Sequence, residues 1–205
     1  MELNQKTLKK AYNYLSTDKC LNYLIKKFSN QIDIKERYND NYAKALAFLV
    51  IEQQVSFKAA ITIKKRFLKK IFNLSNAQII EMDLNDLKSI GISNRKAIYI
   101  KNVYQYFREC SYDFINSSNN DVINELTKIK GIGVWSAKMF LMFVLMRIDI
   151  FSKGDLALMN SLKINYKINI NDNNSLDVLI NKWSPYKTVA CLLLWKSIEE
   201  KYFYT

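Results

Sequence analysis

The sequence predicts an all-α protein, and three observations support that fold class. Apolar residues make up 49% of the 205 positions, so the chain can bury a sizeable core. Apolar side chains recur with helical spacing over most of the chain. No segment combines alternating apolar and polar residues with the turn chemistry of a β-hairpin. We therefore expect about ten helices joined by short connections.

Individual helices can be placed from this spacing and from their capping residues. Apolar residues recur every four positions over 55–67, and the helical pattern continues over 95–109. Ser75 is suited to cap a helix over 77–82, and Asn120 is suited to cap one over 122–129. The polar segment 169–175 predicts a loop. Pro185, the only proline, fits the first turn of a helix through 192–198.

The charge balance favours a polyanionic partner. The chain has 31 Lys and Arg against 19 Asp and Glu, a formal net charge of +12. Nucleic acid is the first candidate, and a basic surface that only keeps the protein in solution is the alternative. No apolar run is long enough to span a bilayer, and no apolar segment typical of a signal peptide follows the first residues. We expect a cytoplasmic protein with no membrane partner.

The residue types restrict the possible chemistry. Histidine is absent, which removes the commonest general acid/base and the commonest transition-metal ligand. Catalysis must then depend on carboxylates, hydroxyls, lysines, water or backbone groups. The three cysteines are odd in number and far apart, which indicates reduced thiols rather than a metal cluster or a disulfide framework. We therefore expect no metal site built by side chains.

Two of the four glycines lie one residue apart, in a segment that joins two predicted helices. The first helix should end near Ile129, and the second should begin near Val134. Gly131 allows a tight reversal, and Ile132 can point into the core. At Gly133 the bare backbone exposes the N–H groups of the second helix, which forms an anion site suited to a phosphate. The alternative is an ordinary helical hairpin with a glycine cap. Gly91 and Ala97 repeat the separation of Gly131 and Ala137, which indicates either a second unit of similar design or a coincidence.

Four segments carry a recognisable pattern: IEQQVSFKAA from Ile51, IKGIGVWSA from Ile129, DIFSKGDLAL from Asp149 and WSPYKTVA from Trp183, followed by Trp195. Together they resemble the helix-hairpin-helix base-excision DNA glycosylases, the HhH-GPD superfamily, and are most similar to the 3-methyladenine DNA glycosylase II branch. These blocks occur in the family's order over about residues 45–197. The sequence departs from the family pattern at Lys130, usually proline, at Ser136, usually threonine, and at Gly154 before the aspartate.

The resemblance implies two helical lobes flanking a DNA-binding cleft, with a helix-hairpin-helix motif. Residues 41–154 would form the central lobe, and residues 1–40 plus 155–205 would form the other. The hairpin positions Gly131, Ile132, Gly133, Ser136 and Lys138 would bind the DNA backbone. The family allows a monovalent cation at the hairpin carbonyls, whereas the cysteine count excludes the iron–sulfur cluster of some relatives.

The resemblance also assigns the catalytic and base-handling residues. Asp155 would be the catalytic carboxylate that stabilises the oxocarbenium-like transition state, although its local sequence also fits a helix N-cap. Trp135 would line the base pocket, or alternatively pack in the core. Bifunctional relatives carry a nucleophilic lysine at that position, so no lyase activity is expected. Gln54 would insert into the gap left by the flipped base, with Gln53 in support, or both would simply be a polar helix terminus.

We therefore expect a monofunctional enzyme that excises alkylated purines of the 3-methyladenine type from damaged double-stranded DNA. Such bases leave as neutral molecules and need little acid catalysis, which fits the absence of histidine. A glycosylase for an oxidised or mismatched base, such as 8-oxoguanine, is one alternative. A non-catalytic helix-hairpin-helix DNA-binding module is the other, and it would not need Asp155. We expect a monomer that associates with the nucleoid.

Overall fold

A computed structural model describes residues 2–204, and this part of the chain is helical. It contains twelve α-helices and no sheet; one isolated antiparallel bridge pairs Glu2 with Arg147. The all-α prediction is confirmed. The number of helices exceeds the predicted number of about ten because two of them, Asn76–Glu81 and Leu84–Lys88, are less than two turns long. Packing rather than sequence periodicity stabilises such short helices.

The helix bounds in chain order are α1 (Gln5–Leu15), α2 (Lys19–Phe28), α3 (Tyr42–Glu52), α4 (Phe57–Lys70), α5 (Asn76–Glu81), α6 (Leu84–Lys88), α7 (Asn94–Glu109), α8 (Asn119–Thr127), α9 (Val134–Phe143), α10 (Leu156–Tyr166), α11 (Asn173–Asn181) and α12 (Lys187–Glu199). None of the helices in the described chain is long and apolar enough to cross a membrane.

The chain forms two compact units. The central unit comprises Tyr38–Phe140, and the terminal unit combines Met1–Arg37 with Leu141–Thr205. The sequence placed the second boundary later, after Gly154, whereas the change of unit falls within α9. All residues from Met139 to Phe143 are buried and apolar, so no exposed or polar position in this part of α9 marks the change of unit in the sequence.

In the central unit, α7 is the helix around which the others pack. It lies against α3, α5 and α6, and α3 also packs against α4. The inward side of α7 is fully buried at Ala97, Ile100 and Val103, which places small and β-branched side chains at the helix contacts. This packing leaves the other side of α7 available for polar and aromatic contacts.

In the terminal unit, α10 and α12 pack together, and α12 also contacts α1 and α2. A polar network is buried between the two helices. The hydroxyls of Ser161 and Ser197 are 2.9 Å apart, and the Asn165 amide donates to both. The Asn165 carbonyl in turn accepts the N–H of Tyr204 at 2.8 Å. Because every member has a partner, the network can be buried without an unpaired polar group.

The capping residues show where local sequence was sufficient to place a helix. Ser75 caps α5 as predicted, through a capping box with Gln78. The prediction for Asn120 was wrong, because Ser118 accepts the N–H of Asp121 and begins α8 earlier. Serine and asparagine are equally good caps, so local sequence alone does not choose between them.

Three further boundaries were predicted wrongly. The period of four begins at Val55, but this residue precedes the Ser56 cap and is 36% exposed. The predicted loop 169–175 ends early, because Asp172 caps α11 through two backbone N–H groups. Pro185 precedes the Tyr186 N-cap of α12, so it lies outside the helix.

Candidate functional site

The hairpin between α8 and α9 requires glycine at position 131. Gly131 has φ of +106°, and a Cβ atom there would lie 2.1 Å from Cγ of Tyr99. Any side chain would therefore meet both backbone strain and the face of an aromatic ring. The next residue, Ile132, is 5% exposed and anchors the turn in the core of the central unit.

The second glycine leaves the N-terminus of α9 open. Gly133 is exposed, and a Cβ atom there would meet nothing within 4 Å. The helix begins at Val134 as predicted, and the N–H of Ala137 donates to the Gly133 carbonyl at 3.0 Å. The N–H groups of the first turn have no earlier carbonyl within the helix, so the positive end of the helix dipole lies at an unobstructed position. An anion can approach there.

Ser136 and Lys138 differ in what they can offer to a phosphate at the hairpin. The Ser136 side chain is only 1% exposed, and its hydroxyl accepts a hydrogen bond from Gln53, so only its backbone N–H is left for a phosphate. Lys138 lies one turn into α9 and is half-buried. The sequence did not foresee that the Ser136 hydroxyl faces inward.

The joint between α3 and α4, residues 53–56, is bound to this hairpin. The Gln53 side-chain amide donates to the carbonyl of Gly131 at 3.0 Å and to the Ser136 hydroxyl at 3.1 Å. Gln54 has φ of +54° and an exposed side chain, an uncommon backbone state for a residue other than glycine. The two glutamines therefore differ: Gln53 is fixed to the hairpin, and Gln54 projects from the turn.

One side of α7 holds both of these elements, and the sequence did not predict this. Lys96 donates to the carbonyls of Ile51 in α3 and Gln53 in the joint. The Tyr99 ring lies against Gly131, and the Asn102 amide donates to the Lys130 carbonyl at 3.2 Å. Further along, the Tyr106 hydroxyl donates to Glu125 of α8 at 2.8 Å. These residues recur every three or four positions, so they share one face of the helix.

A weak repeat in the sequence was the only signal of this arrangement. Gly91 before α7 has φ of +98°, close to the value at Gly131. The following isoleucines, Ile92 and Ile132, are both buried. Because the backbone state and the burial match, the α6–α7 and α8–α9 joints are two units of similar design rather than a coincidence of spacing.

In the terminal unit, Asp155 caps α10 and is 8% exposed. Its Oδ1 accepts the N–H of Leu158 at 2.9 Å and the indole N–H of Trp195 at 3.1 Å. The segment before it is held by an ion pair of 2.8 Å between Lys153 and Asp177. The carboxylate is thus oriented by two donors from two different helices.

Trp195 is part of an aromatic group behind this carboxylate. Its ring lies against Phe143 with centroids 5.6 Å apart, and the Arg37 guanidinium lies 4.0 Å from the Phe143 centroid. The indole N–H connects this aromatic group to Asp155. Trp135 is half-buried in α9, which is compatible with a pocket wall and with packing.

Metal ligands are sparse in this chain. In residues 2–204, no three side chains of the His, Cys, Asp and Glu types lie close enough to hold an ion. The carbonyls of Gly131 and Lys130 already accept side-chain amides. A monovalent cation at the hairpin carbonyls therefore remains a prediction.

A family model, described as the HhH-GPD superfamily of base excision DNA repair proteins, matches residues 48–184. The chain belongs to this family. The match includes the α3–α4 joint, the hairpin and Asp155, so the features described above lie within the shared domain.

Known proteins similar to this HhH-GPD chain are glycosylases by name. A Bacillus subtilis relative, assigned provisionally as a DNA-3-methyladenine glycosylase, is 30% identical over 73% of this chain, which spans 56% of that relative's length. A DNA-3-methyladenine glycosylase of Saccharomyces cerevisiae is 29% identical over 77% of this chain and 67% of its own. A solved structure of a Schizosaccharomyces pombe 3-methyladenine DNA glycosylase in complex with abasic DNA aligns with a TM-score of 0.83. It is 27% identical, with 93% of this chain and 97% of that chain covered.

Proposed function

We propose that this protein is a monofunctional DNA glycosylase that excises alkylated purines of the 3-methyladenine type from double-stranded DNA. The observation that carries the proposal is the Asp155 carboxylate, which caps α10 and accepts the indole N–H of Trp195. Asp18 also caps a helix and accepts an indole N–H, so Asp155 is distinguished by its place in segment 149–158, which resembles the aspartate block of the family. The names of the similar proteins, and the abasic DNA in the Schizosaccharomyces pombe complex, support the same assignment.

Asp155 would act on the sugar of the damaged nucleotide. As the N-glycosidic bond breaks, its electron pair goes to the base, and positive charge develops on C1′. A fixed carboxylate stabilises that charge, and it can accept a proton from the water whose oxygen bonds to C1′. An alkylated purine already carries a positive charge, so it departs as a neutral base without a general acid. This accounts for how the reaction could proceed in a chain that has no histidine.

The central unit would bind the DNA and hold it open. The open N-terminus of α9 at Gly133 would bind a backbone phosphate, with Lys138 adding positive charge. Gln54, exposed at a turn with positive φ, would enter the gap left by the flipped nucleotide. Trp135 would stack on the extruded base, and a cationic purine would gain cation–π attraction there.

The absence of strand cleavage is part of the proposal. A bifunctional glycosylase needs an amine nucleophile at the position that Trp135 occupies. Lys153, which lies two residues before Asp155, carries an amine, but this amine forms an ion pair with Asp177. The product would therefore be an intact strand with an abasic site. We also propose that the protein acts as a monomer in the cytoplasm, in association with the nucleoid.

The test is incubation of the purified protein with duplexes that each carry one defined lesion. We expect 3-methyladenine or 7-methylguanine to appear as free base in chromatography, and the strand to break only after alkali treatment. Duplexes with 8-oxoguanine and undamaged duplexes serve as controls. Release of 8-oxoguanine without release of methylated purines would move the assignment to oxidised bases. Binding to every duplex without release of any base would indicate a non-catalytic module.

A further inference from the structure

The joint that carries Gln54 is attached to three different helices. Glu52, the last residue of α3, forms an ion pair of 2.7 Å with Lys64 of α4. The Gln53 side chain donates to the hairpin at Gly131 and Ser136. Lys96 of α7 donates to the backbone carbonyl of Ile51 at 2.8 Å and to that of Gln53 at 2.5 Å. The chain is therefore held on both sides of the last helical residue.

Lys96 lies at the C-terminal end of α3, where a cation stabilises the helix. The last carbonyls of a helix have no intrahelical donor and form the negative end of the helix dipole. The ammonium of Lys96 donates to one of them, at Ile51, and to the carbonyl of the C-cap residue Gln53. Burial, and secondarily the adjacent Arg95, lower the pKa of Lys96 from its ordinary value. The ammonium is thus partly withdrawn from water. Its hydrogen bonds to carbonyls are stronger in the protein interior than they would be in water.

Gln54 itself differs from its neighbours. Its φ is +54°, its side chain is exposed, and among the described residues no hydrogen bond holds that side chain. The side chain is thus exposed, whereas the backbone beneath it is fixed from several directions. A residue that must enter a DNA duplex benefits from this combination, because a pre-organised backbone loses little entropy on binding.

We infer that Lys96 is a positioning residue for base extrusion, which fixes the α3–α4 joint so that Gln54 is held ready to replace the flipped nucleotide. The inference rests on the proposed function and deepens it. It also gives a purpose to the second helix–turn–helix unit, because α7 begins after the α6–α7 turn and its third residue, Lys96, reaches the α3–α4 joint. Lys96 does not touch DNA; it acts through the backbone at Gln53.

The main test compares Lys96→Met with Lys101→Met. Each variant removes one positive charge from α7, but only Lys96 donates to the joint. We expect Lys96→Met to reduce single-turnover excision of an alkylated purine by about 10-fold or more. Its affinity for undamaged duplex should match that of Lys101→Met within about twofold, because both lose the same charge. Lys96→Arg, which keeps the charge and its donors, should recover most of the excision rate.

A second measurement does not depend on catalysis. The probe is a duplex with 2-aminopurine opposite a tetrahydrofuran abasic analogue, whose fluorescence reports insertion beside the orphaned base. Wild type and Lys101→Met should prefer this duplex to an undamaged one, and Lys96→Met should lose about 10-fold of that preference. If Lys96→Met does not fold, Lys96→Gln, which is shorter and neutral, should show the same direction of change.

The outcomes separate the two proposals. If the Lys96 and Lys101 variants behave alike in excision and in preference for the abasic analogue, the positioning role is overturned. If wild type excises no base from any duplex, the proposed function fails. The preference for the abasic analogue then still decides whether Lys96 positions the joint.

Discussion

The indole N–H of Trp195 donates a hydrogen bond of 3.1 Å to Oδ1 of Asp155. The same oxygen accepts the backbone N–H of Leu158. One carboxylate oxygen therefore caps α10 and also accepts a donor from α12. The capping role and the proposed catalytic role are therefore compatible. The cap fixes the position of the carboxylate, and the indole fixes its rotation, which together define where the negative charge lies.

Asp155→Asn separates the two roles. The amide oxygen of asparagine can still accept the Leu158 N–H, and asparagine is as good an N-cap as aspartate, so stability should change by about 1 kcal/mol or less. The negative charge is lost, and base release should fall by about 100-fold or more. Single-turnover release and thermal unfolding measure the two effects, and binding to a damaged duplex should be largely retained. Excision at the wild-type rate by this variant would show that Asp155 is not the catalytic group.

Trp195→Phe tests the orientation of the carboxylate and has a matched control in the same unit. The indole N–H of Trp183 donates to the carboxylate of Asp18, the N-cap of α2, at 3.3 Å. Each substitution removes one indole donor from a capping aspartate and keeps an aromatic ring. We expect Trp195→Phe to slow base release by about 10-fold, and Trp183→Phe to leave the rate unchanged. Equal rates in the two variants would argue against a role for the Trp195–Asp155 bond.

The parts of this protein that were predictable from sequence depend on local chemistry. The helical spacing specifies an all-α fold, and the glycines at 131 and 133 specify a hairpin with an open helix N-terminus. Asp155 could be placed at a helix start from its neighbours alone. In each case the residues that determine the feature lie within one or two turns of each other.

The features that were missed depend on contacts between residues far apart in the chain. Lys96 is 43 residues from Gln53, and Trp195 is 40 residues from Asp155. Side-chain contacts of this kind follow from the packing of helices, which periodicity does not specify. The Gly91 repeat indicated a second helix–turn–helix unit, yet it could not show that its following helix reaches the α3–α4 joint.

Gly131→Ala should destabilise the fold, and Gly133→Ala should not. The first substitution forces a Cβ atom to 2.1 Å from the Tyr99 ring at φ of +106°, whereas the second meets nothing within 4 Å. We expect a loss of about 2–4 kcal/mol in the free energy of unfolding for Gly131→Ala. The loss for Gly133→Ala should be about 1 kcal/mol or less. Urea unfolding followed by circular dichroism gives both values, and similar losses would contradict the close packing on Tyr99.

Gly133→Glu should weaken binding to damaged and undamaged DNA by the same factor. The new carboxylate lies at the open N-terminus of α9, where it occupies the proposed phosphate position and repels the backbone. We expect weaker binding to damaged and undamaged duplexes alike, and a smaller dependence of log Kd on log salt between about 50 and 200 mM. Fluorescence anisotropy measures both quantities, and Gly133→Ala is the control for the loss of glycine. An unchanged salt slope would place the phosphate contacts elsewhere.

Cys20 should make stability fall at alkaline pH. Burial raises the pKa of its thiol to about 12, whereas an unfolded thiol titrates near 8.5. The folded chain therefore holds its proton after the unfolded chain has released it. The stabilising contribution is complete below the unfolded pKa and is lost as pH rises towards the folded pKa. Between about pH 7 and pH 9.5, wild type should lose about 1 kcal/mol more than Cys20→Ala does. Urea unfolding at the two pH values measures this difference. If Cys20→Ala loses as much stability as wild type over this range, the buried proton belongs to a different site.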